Sequence, residues 1–389
     1  MKNNNKLTFL WREPYIDYLW ATQTTAKNYF LHSGILVYNN GILSAFATAS
    51  EFKRIKQQQN ILLDKNNLAE LKNKFTDIKR KIETFYEKFR RQKLKSTSDD
   101  LLIKFYQKII NLYGIFIKTY FWTEPHCVKN IELEVNKIIK KISVKDKNKI
   151  LANILSDKRT IKKYKLERYI NLFDTVIEIS KIRFSAKTIT NKLSDCIEKL
   201  LFETARRTNY AINQISSMSF NELKKIFIKQ PVNLYLVNRR VKKFGIKVIS
   251  NGNNIKIIDL NDKEIAKIEK MDTVFSNEIR GNSVFSGKVK GFVKIANKLY
   301  DEEDYEKFIF SLKNDDILVA SMTHPNLSAA FNIVAGVITD EGGLMSHAAL
   351  VSREKKTPCV VGTKNATKIL KNGQKIYLDA DNGIITIIK

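Results

Sequence analysis

From Leu68 onward the apolar positions Leu71, Phe75, Ile78, Ile82, Phe85 and Phe89 recur at alternating steps of three and four. That spacing is a heptad seam, and it predicts a long helix packed in a bundle. Less regular patterns of the same kind run through residues 101–122, 128–142, 150–154, 161–182 and 189–212, with Pro125 breaking between two of them. Residues 1 to about 225 are therefore expected to be helical. The most apolar of these segments, 101–122, carries Lys104, Gln107, Lys108, Asn111 and Lys118, whose spacing builds a polar stripe along one side. It reads as a core helix and not as a membrane span.

The pattern changes after Pro231. A short helix bearing Arg239, Arg240 and Lys242 leads to two β-rich runs, 246–249 and 255–258, around Asn251-Gly252-Asn253-Asn254. Such a pair predicts a hairpin, with a brief helix over 261–271 after it. From residue 281 the chain alternates between strand and helix patterns. Strands are expected at 287–295, 316–320, 333–339, 358–361, 375–379 and 384–388, and helices at 346–354 and 364–370. Nine of the 14 glycines fall after residue 280, in keeping with a turn-rich α/β unit. The fold class is thus α+β and multidomain: a helical domain over 1–225, a small α+β connector with a hairpin over 226–280, and an α/β domain over 281–389.

Composition sharpens that division. A chain of 389 residues is too long for one ordinary core, so two or three units are expected. The net charge is +28, yet the last 109 residues hold 14 Lys/Arg against 12 Asp/Glu, so +26 of it lies before residue 281. A basic face for an anionic partner is one reading of this excess. The other is a Lys-, Asn- and Ile-rich background with solvated lysines on helix faces, and on it nucleic acid is not the expected partner. The aromatic residues of the helical region sit at helical spacings and read as core packing. The early apolar run over residues 7–11 is cut by Arg12 and Glu13, too short for a signal peptide, so a cytoplasmic chain with no membrane partner is expected. Cys127, Cys196 and Cys359 are scattered, which indicates neither a disulfide framework nor a metal site.

The chemistry concentrates where the third strand turns into a helix: Thr339-Asp340-Glu341-Gly342-Gly343-Leu344-Met345-Ser346-His347-Ala348-Ala349. Gly342 and Gly343 allow a tight turn with open N–H groups, and a helix starting at His347 directs its positive end at any anion there. A neutral imidazole is a nucleophile near pH 7 and suits a phosphoryl carrier. Ser346 can cap the helix or donate to a phosphate oxygen. From these residues alone, a histidine that merely caps its own helix remains the alternative.

The wider pattern continues through Ser352-Arg353-Glu354, Pro358-Cys359-Val360-Val361-Gly362-Thr363, Asn365-Ala366-Thr367 and Asp379-x-x-x-Gly383, and is preceded by Gly287-x-x-x-Gly291 and Met322-Thr323-x-Pro325. It resembles the swivelling phosphohistidine domain of phosphoenolpyruvate synthase, a domain type shared with pyruvate phosphate dikinase, enzyme I of the sugar phosphotransferase system and rifampicin phosphotransferase. The resemblance implies that His347 is the phosphorylated residue, through the ring nitrogen distal to the backbone. It further implies that Gly342, Gly343 and Ser346 lie near the phosphate, with Thr323, Thr339 and Arg353 in support. Two positions depart from the pattern. Met345 stands where enzyme I and the dikinases have threonine, and Asn326-Leu327 follows Pro325 where several relatives have tryptophan. His324 reads either as a second polar group at the site or as an exposed loop histidine.

Relatives that complete a reaction load the histidine from a nucleotide-binding ATP-grasp domain and unload it at an acceptor domain. No G-x-x-x-x-G-K-[ST] or Gly-rich loop is visible here, so no cofactor is expected on this chain itself. ATP or phosphoenolpyruvate is the expected indirect donor, with Mg2+ at the partner's site. The expectation is a phosphotransferase component that works with an ATP-grasp or phosphoenolpyruvate-binding domain in trans, or with a small-molecule acceptor. A non-catalytic basic scaffold that retains the fold is the alternative.

Overall fold

A computed structural model describes residues 7–14, 19, 21–22, 32–39, 42–142, 150, 154, 159–251, 254–271, 278–296, 299 and 302–388. The chain divides into two compact units. One comprises Met1–Gln57, Ala69–Trp122 and Ala186–Asp272, the other Gln58–Leu68, Thr123–Ser185 and Thr273–Lys389. Segments that the sequence pattern separates are interleaved in both.

The first unit opens with strands β1 (Thr8–Pro14), β2 (Ser33–Asn39) and β3 (Ile42–Ala47), followed by helix α1 (Ala49–Gln57). Strands here were not expected, because residues 1 to about 225 read as helical. β3 pairs antiparallel with both β1 and β2, and β2 joins these strands to a remote one, pairing antiparallel more than 200 residues on with Gly34 facing Val248. Helices α2 (Lys65–Phe89) and α3 (Asp99–Tyr120) follow the heptad reading, and Leu71, Phe75, Ile78, Ile82 and Phe89 are buried on α2. Ser98 caps α3 by accepting from Leu101 N–H, which satisfies a donor that the first turn leaves open. Next in the chain come α4 (Pro125–Ile142) and α5 (Arg159–Lys163), which belong to the second unit, and α6 (Ile170–Arg207), which is divided between the two. Pro125 sits at the start of α4, where its missing N–H costs nothing. The two patterns over 161–182 and 189–212 merge in part, since α6 runs unbroken for 38 residues. The pattern over 150–154 lies largely outside the described residues.

The short helices α7 (Ile212–Ser216), α8 (Phe220–Phe227) and α9 (Leu234–Lys242) lead to the hairpin strands β4 (Lys243–Asn251) and β5 (Asn254–Asp259), and helix α10 (Asp262–Met271) follows. The sheet order is β1-β3-β2-β4-β5. Ile265 and Ile268 of α10 cover it with Val37, Phe46 and Leu260. Arg240 donates to Glu222 at 2.8 Å and to Asp259 at 3.1 Å, tying α8 and β5 to α9.

The second unit holds a sheet of eight strands, whose members are β6 (Glu278–Arg280), β7 (Asn282–Phe285), β8 (Lys288–Ala296), β9 (Asp316–Ala320), β10 (Gly336–Thr339), β11 (Cys359–Val361), β12 (Lys375–Asp379) and β13 (Ile384–Ile387). Their order is β6-β13-β12-β8-β9-β10-β11-β7. The central strands β8 to β11 run parallel, and the flanking ones are antiparallel. β9 and β10 are buried at every position, as a parallel strand covered on both faces must be. Ile317, Val319, Ile338, Val360, Ile376 and Leu378 form the core. Helix α11 (Glu302–Phe310) and a 3₁₀ turn (Pro325–Asn332) flank β9; α12 (His347–Lys355) follows β10 and α13 (Ala366–Ile369) follows β11. Helix α4 and the first part of α6, through Ser185, belong to this unit. No described helix is long and apolar enough to cross a membrane.

Candidate functional site

The turn after β10 lies at the carboxyl ends of the parallel strands, where open α/β sheets place their ligand sites. It is tied down on both sides. Asp340 N–H donates to Ala320 O at 3.0 Å, Glu341 N–H to Ser321 O at 2.8 Å and Thr363 N–H to Thr339 O at 3.1 Å. The buried Asp340 carboxylate accepts from Thr363 Oγ1 at 3.2 Å and from the backbone and hydroxyl of Thr367. Gly342 has φ +117°, a region closed to most side chains, and a Cβ there would meet Ser346 Oγ at 2.8 Å. Ser346 caps α12, its Oγ accepting from Ala349 N–H at 3.3 Å. The helix therefore starts at His347 with its open amides facing the turn.

His347 is 6% exposed. Its Nδ1 lies 2.8 Å from Thr323 Oγ1, and its Nε2 lies 3.4 Å from Ser328 Oγ. Thr323 sits just beyond β9 and Ser328 in the 3₁₀ turn, so neighbouring strand exits supply the histidine and both partners. The ring of Phe184 on α6 lies nearly parallel to the imidazole, 6.4 Å between centroids and 16° between planes. The fold thus brings together His347, Gly342, Gly343, Ser346 and Thr323 from the sequence-derived set. It gives Thr339 another place, its hydroxyl donating to Glu341 O at 2.5 Å inside the turn. Arg353 is buried on α12 with all three guanidinium nitrogens unpartnered among the described residues. Burial lowers its pKa to about 10, against the pull of Cys359 and Glu132. His324 precedes the 3₁₀ turn and is half-buried, not an exposed loop residue.

Sequence reasoning missed Glu132. This residue of α4 accepts from the backbone N–H groups of Leu344 and Met345, and a Cβ added at Gly343 would fall on its carboxylate oxygens. Burial lifts its pKa to about 7, although Arg183, Arg353 and the two amides all favour the charged form. A signal was present in the pattern. Val128, Ile131, Val135 and Ile139 are buried on α4, and Glu132 stands four residues after Val128, beside that apolar stripe. Phe184 and Ser328 gave no comparable signal.

Residues 312–383 match the family model described as "PEP-utilising enzyme, mobile domain". Among curated proteins, phosphoenolpyruvate synthase of Pyrococcus furiosus is 40% identical over 125 residues, covering 32% of this chain and 14% of that protein. Probable phosphoenolpyruvate synthase of Methanothermobacter thermautotrophicus is 39% identical over 107 residues, 28% of this chain and 15% of the relative. Rifampicin phosphotransferase of Bacillus cereus is 28% identical over 183 residues, 46% of this chain and 20% of the relative. The alignments span a fifth or less of these relatives. The C-terminal part of the chain, matched over residues 312–383, is a mobile domain of the PEP-utilising enzyme type, similar to those of phosphoenolpyruvate synthase and rifampicin phosphotransferase.

Proposed function

We propose that this chain is a phosphotransferase component in which His347 carries a phosphoryl group between a donor and an acceptor supplied by other domains or chains. The observation that carries the reading is the placement of the imidazole. It opens α12 at the carboxyl ends of β9 and β10, with Thr323 Oγ1 2.8 Å from Nδ1. If Nδ1–H donates to Thr323, Nε2 keeps its lone pair, and the Ser328 hydroxyl at 3.4 Å can donate to it. In the transfer, that lone pair attacks phosphorus and the Nε2–P bond forms as the donor's P–O bond breaks, the electron pair leaving on the donor oxygen. The acceptor's oxygen reverses the step. Turn amides and the dipole of α12 hold the phosphoryl oxygens, with Gly342, Gly343 and Ser346 shaping the cradle.

ATP or phosphoenolpyruvate is the proposed donor, with Mg2+ at the donor's site. The proposed partner is an ATP-grasp or phosphoenolpyruvate-binding domain in trans, with a small-molecule acceptor as the other route, in the cytoplasm. Two observations favour a second reading, a non-catalytic scaffold: the Leu344 and Met345 amides already hold a carboxylate, and His347 is 6% exposed. The test offers labelled ATP or phosphoenolpyruvate to wild type and His347→Ala, in native-host lysate or with a reconstituted phosphoenolpyruvate synthase nucleotide domain. Wild type is expected to take an acid-labile, base-stable label that the alanine variant lacks. Label that persists in the variant, or survives acid, overturns the phosphocarrier reading.

A further inference from the structure

The turn before α12 is an anion site with an occupant. Its amides at Leu344 and Met345 donate to the Glu132 carboxylate, which reaches them from α4 in the same compact unit. The approach is close enough that a Cβ at Gly343 would push the Glu132 carboxylate aside. Arg183 and Arg353 attract the same carboxylate, and Arg353 has no hydrogen-bond partner among the described residues. Phe184, also from a helix that precedes the sheet, sets its half-exposed ring nearly parallel to the imidazole at 6.4 Å. A phosphoryl group on Nε2 would bring up to two negative charges to the end of α12, where the Glu132 carboxyl group already takes the amides. Two anions on one pair of amides repel, and only one can be held.

We propose that Glu132 is a built-in occupant of the phosphate cradle, an autoinhibitory carboxylate that must leave the Leu344 and Met345 amides before His347 can take and hold a phosphoryl group. Its regulatory meaning rests on the phosphocarrier reading above, whereas its chemistry rests on the contact alone. In this arrangement α4 and the first part of α6, through Ser185, form a partial cover over the site, with Glu132 as its polar tooth and Phe184 as its apolar one. Displacement of the cover frees two backbone donors and leaves Arg353 without its nearby carboxylate, which raises the site's affinity for an oxyanion. A partner that draws α4 away would switch the histidine on.

Two probes test this on the full chain, and neither needs the natural donor. Sulfate, a dianion that does not titrate near neutrality, is titrated calorimetrically into wild type, Glu132→Gln and Glu132→Ala. Phosphoramidate then phosphorylates accessible histidine, its P–N bond breaking with loss of ammonia as the Nε2–P bond forms, and label at His347 is read by peptide mass spectrometry. The alanine variant is expected to bind sulfate at least tenfold tighter than wild type and to take label at His347 at least tenfold faster. The glutamine variant, which keeps the shape and loses the charge, is expected to lie between. Equal sulfate affinity and equal labelling across the three overturn the proposal. Failure of the phosphocarrier reading looks different, because the alanine variant would gain on both probes while labelled ATP or phosphoenolpyruvate with the partner domain gave no acid-labile label in any variant.

Discussion

Glu203 on α6 and Glu132 on α4 are both glutamates of long helices, in the helical unit and in the unit that holds His347 respectively. Arg206 grips Glu203 at 2.9 and 2.6 Å and Arg207 donates to it at 2.6 Å, while Arg207 also holds Asp99 at 2.6 Å and Leu94 O at 2.7 Å. The Arg206 contact, then that of Arg207, drives the Glu203 carboxyl down to about 2 despite its burial. Glu132 has two arginines within electrostatic reach and two backbone donors, and burial still lifts it to about 7. Direct, bidentate pairing separates the two cases. At Glu203 the carboxylate is committed to two arginines, whereas at the turn beside His347 the carboxylate takes two backbone amides and Arg353 has no hydrogen-bond partner among the described residues.

The largest effect that can break this contrast is the removal of Glu203. Glu203→Ala leaves Arg206 and Arg207 without their shared carboxylate, and a loss of about 2 kcal/mol is expected for a pair this well formed but partly solvated. A lower denaturant midpoint at unchanged slope reads it. A loss below about 0.5 kcal/mol would place the cluster with ordinary surface pairs and remove one side of the comparison. Glu132→Gln, by contrast, is expected to cost nothing measurable above neutral pH, because it removes a charge that burial already disfavours.

A smaller effect sharpens the other side. If the Thr323 hydroxyl orients His347, Thr323→Val should slow phosphohistidine formation about tenfold, since valine keeps the shape and loses the hydroxyl beside Nδ1. The pH profile of labelling should shift as well, and Thr323→Ser should restore both. Unchanged labelling in the valine variant would show that the 2.8 Å contact is incidental.

The sequence made the two regions legible to different degrees. The strands at Asp316–Ala320 and Lys375–Asp379 stood out at their full length, and the capped start of α12 at Ser346 and His347 could be read residue by residue. Local pattern sets those features: a short buried run, a cap, a pair of glycines. The β4–β5 hairpin was legible, whereas β1 to β3 escaped because β2 joins that hairpin across more than 200 residues, although Asn40-Gly41 between β2 and β3 is a hairpin signal that the helical reading passed over. Glu132 escaped for the same reason. The amides it accepts from lie more than 200 residues away, and only its place beside an apolar stripe hinted that it was not a solvated charge.

The most gradual effect is the pH dependence that the Glu132 carboxyl group imposes. The ordinary value for Glu132 is 4.5 and burial raises it to about 7 in the folded chain, so the folded state binds a proton more tightly than the unfolded one. Stability from this group is full below 4.5 and is lost as pH rises towards about 7. His126 on the same helix works in the opposite sense, because burial lowers it from 6.5 to about 4 and its contribution is lost as pH falls through that range. Comparing wild type with Glu132→Gln removes His126 and every other common group, including Arg183, Arg353 and Glu124. The wild-type melting temperature should therefore fall relative to the glutamine variant by a few degrees between about pH 5 and pH 8. A difference that stays flat across this range would mean that Glu132 is as firmly committed as Glu203, and that the turn beside His347 holds its anion for structure alone.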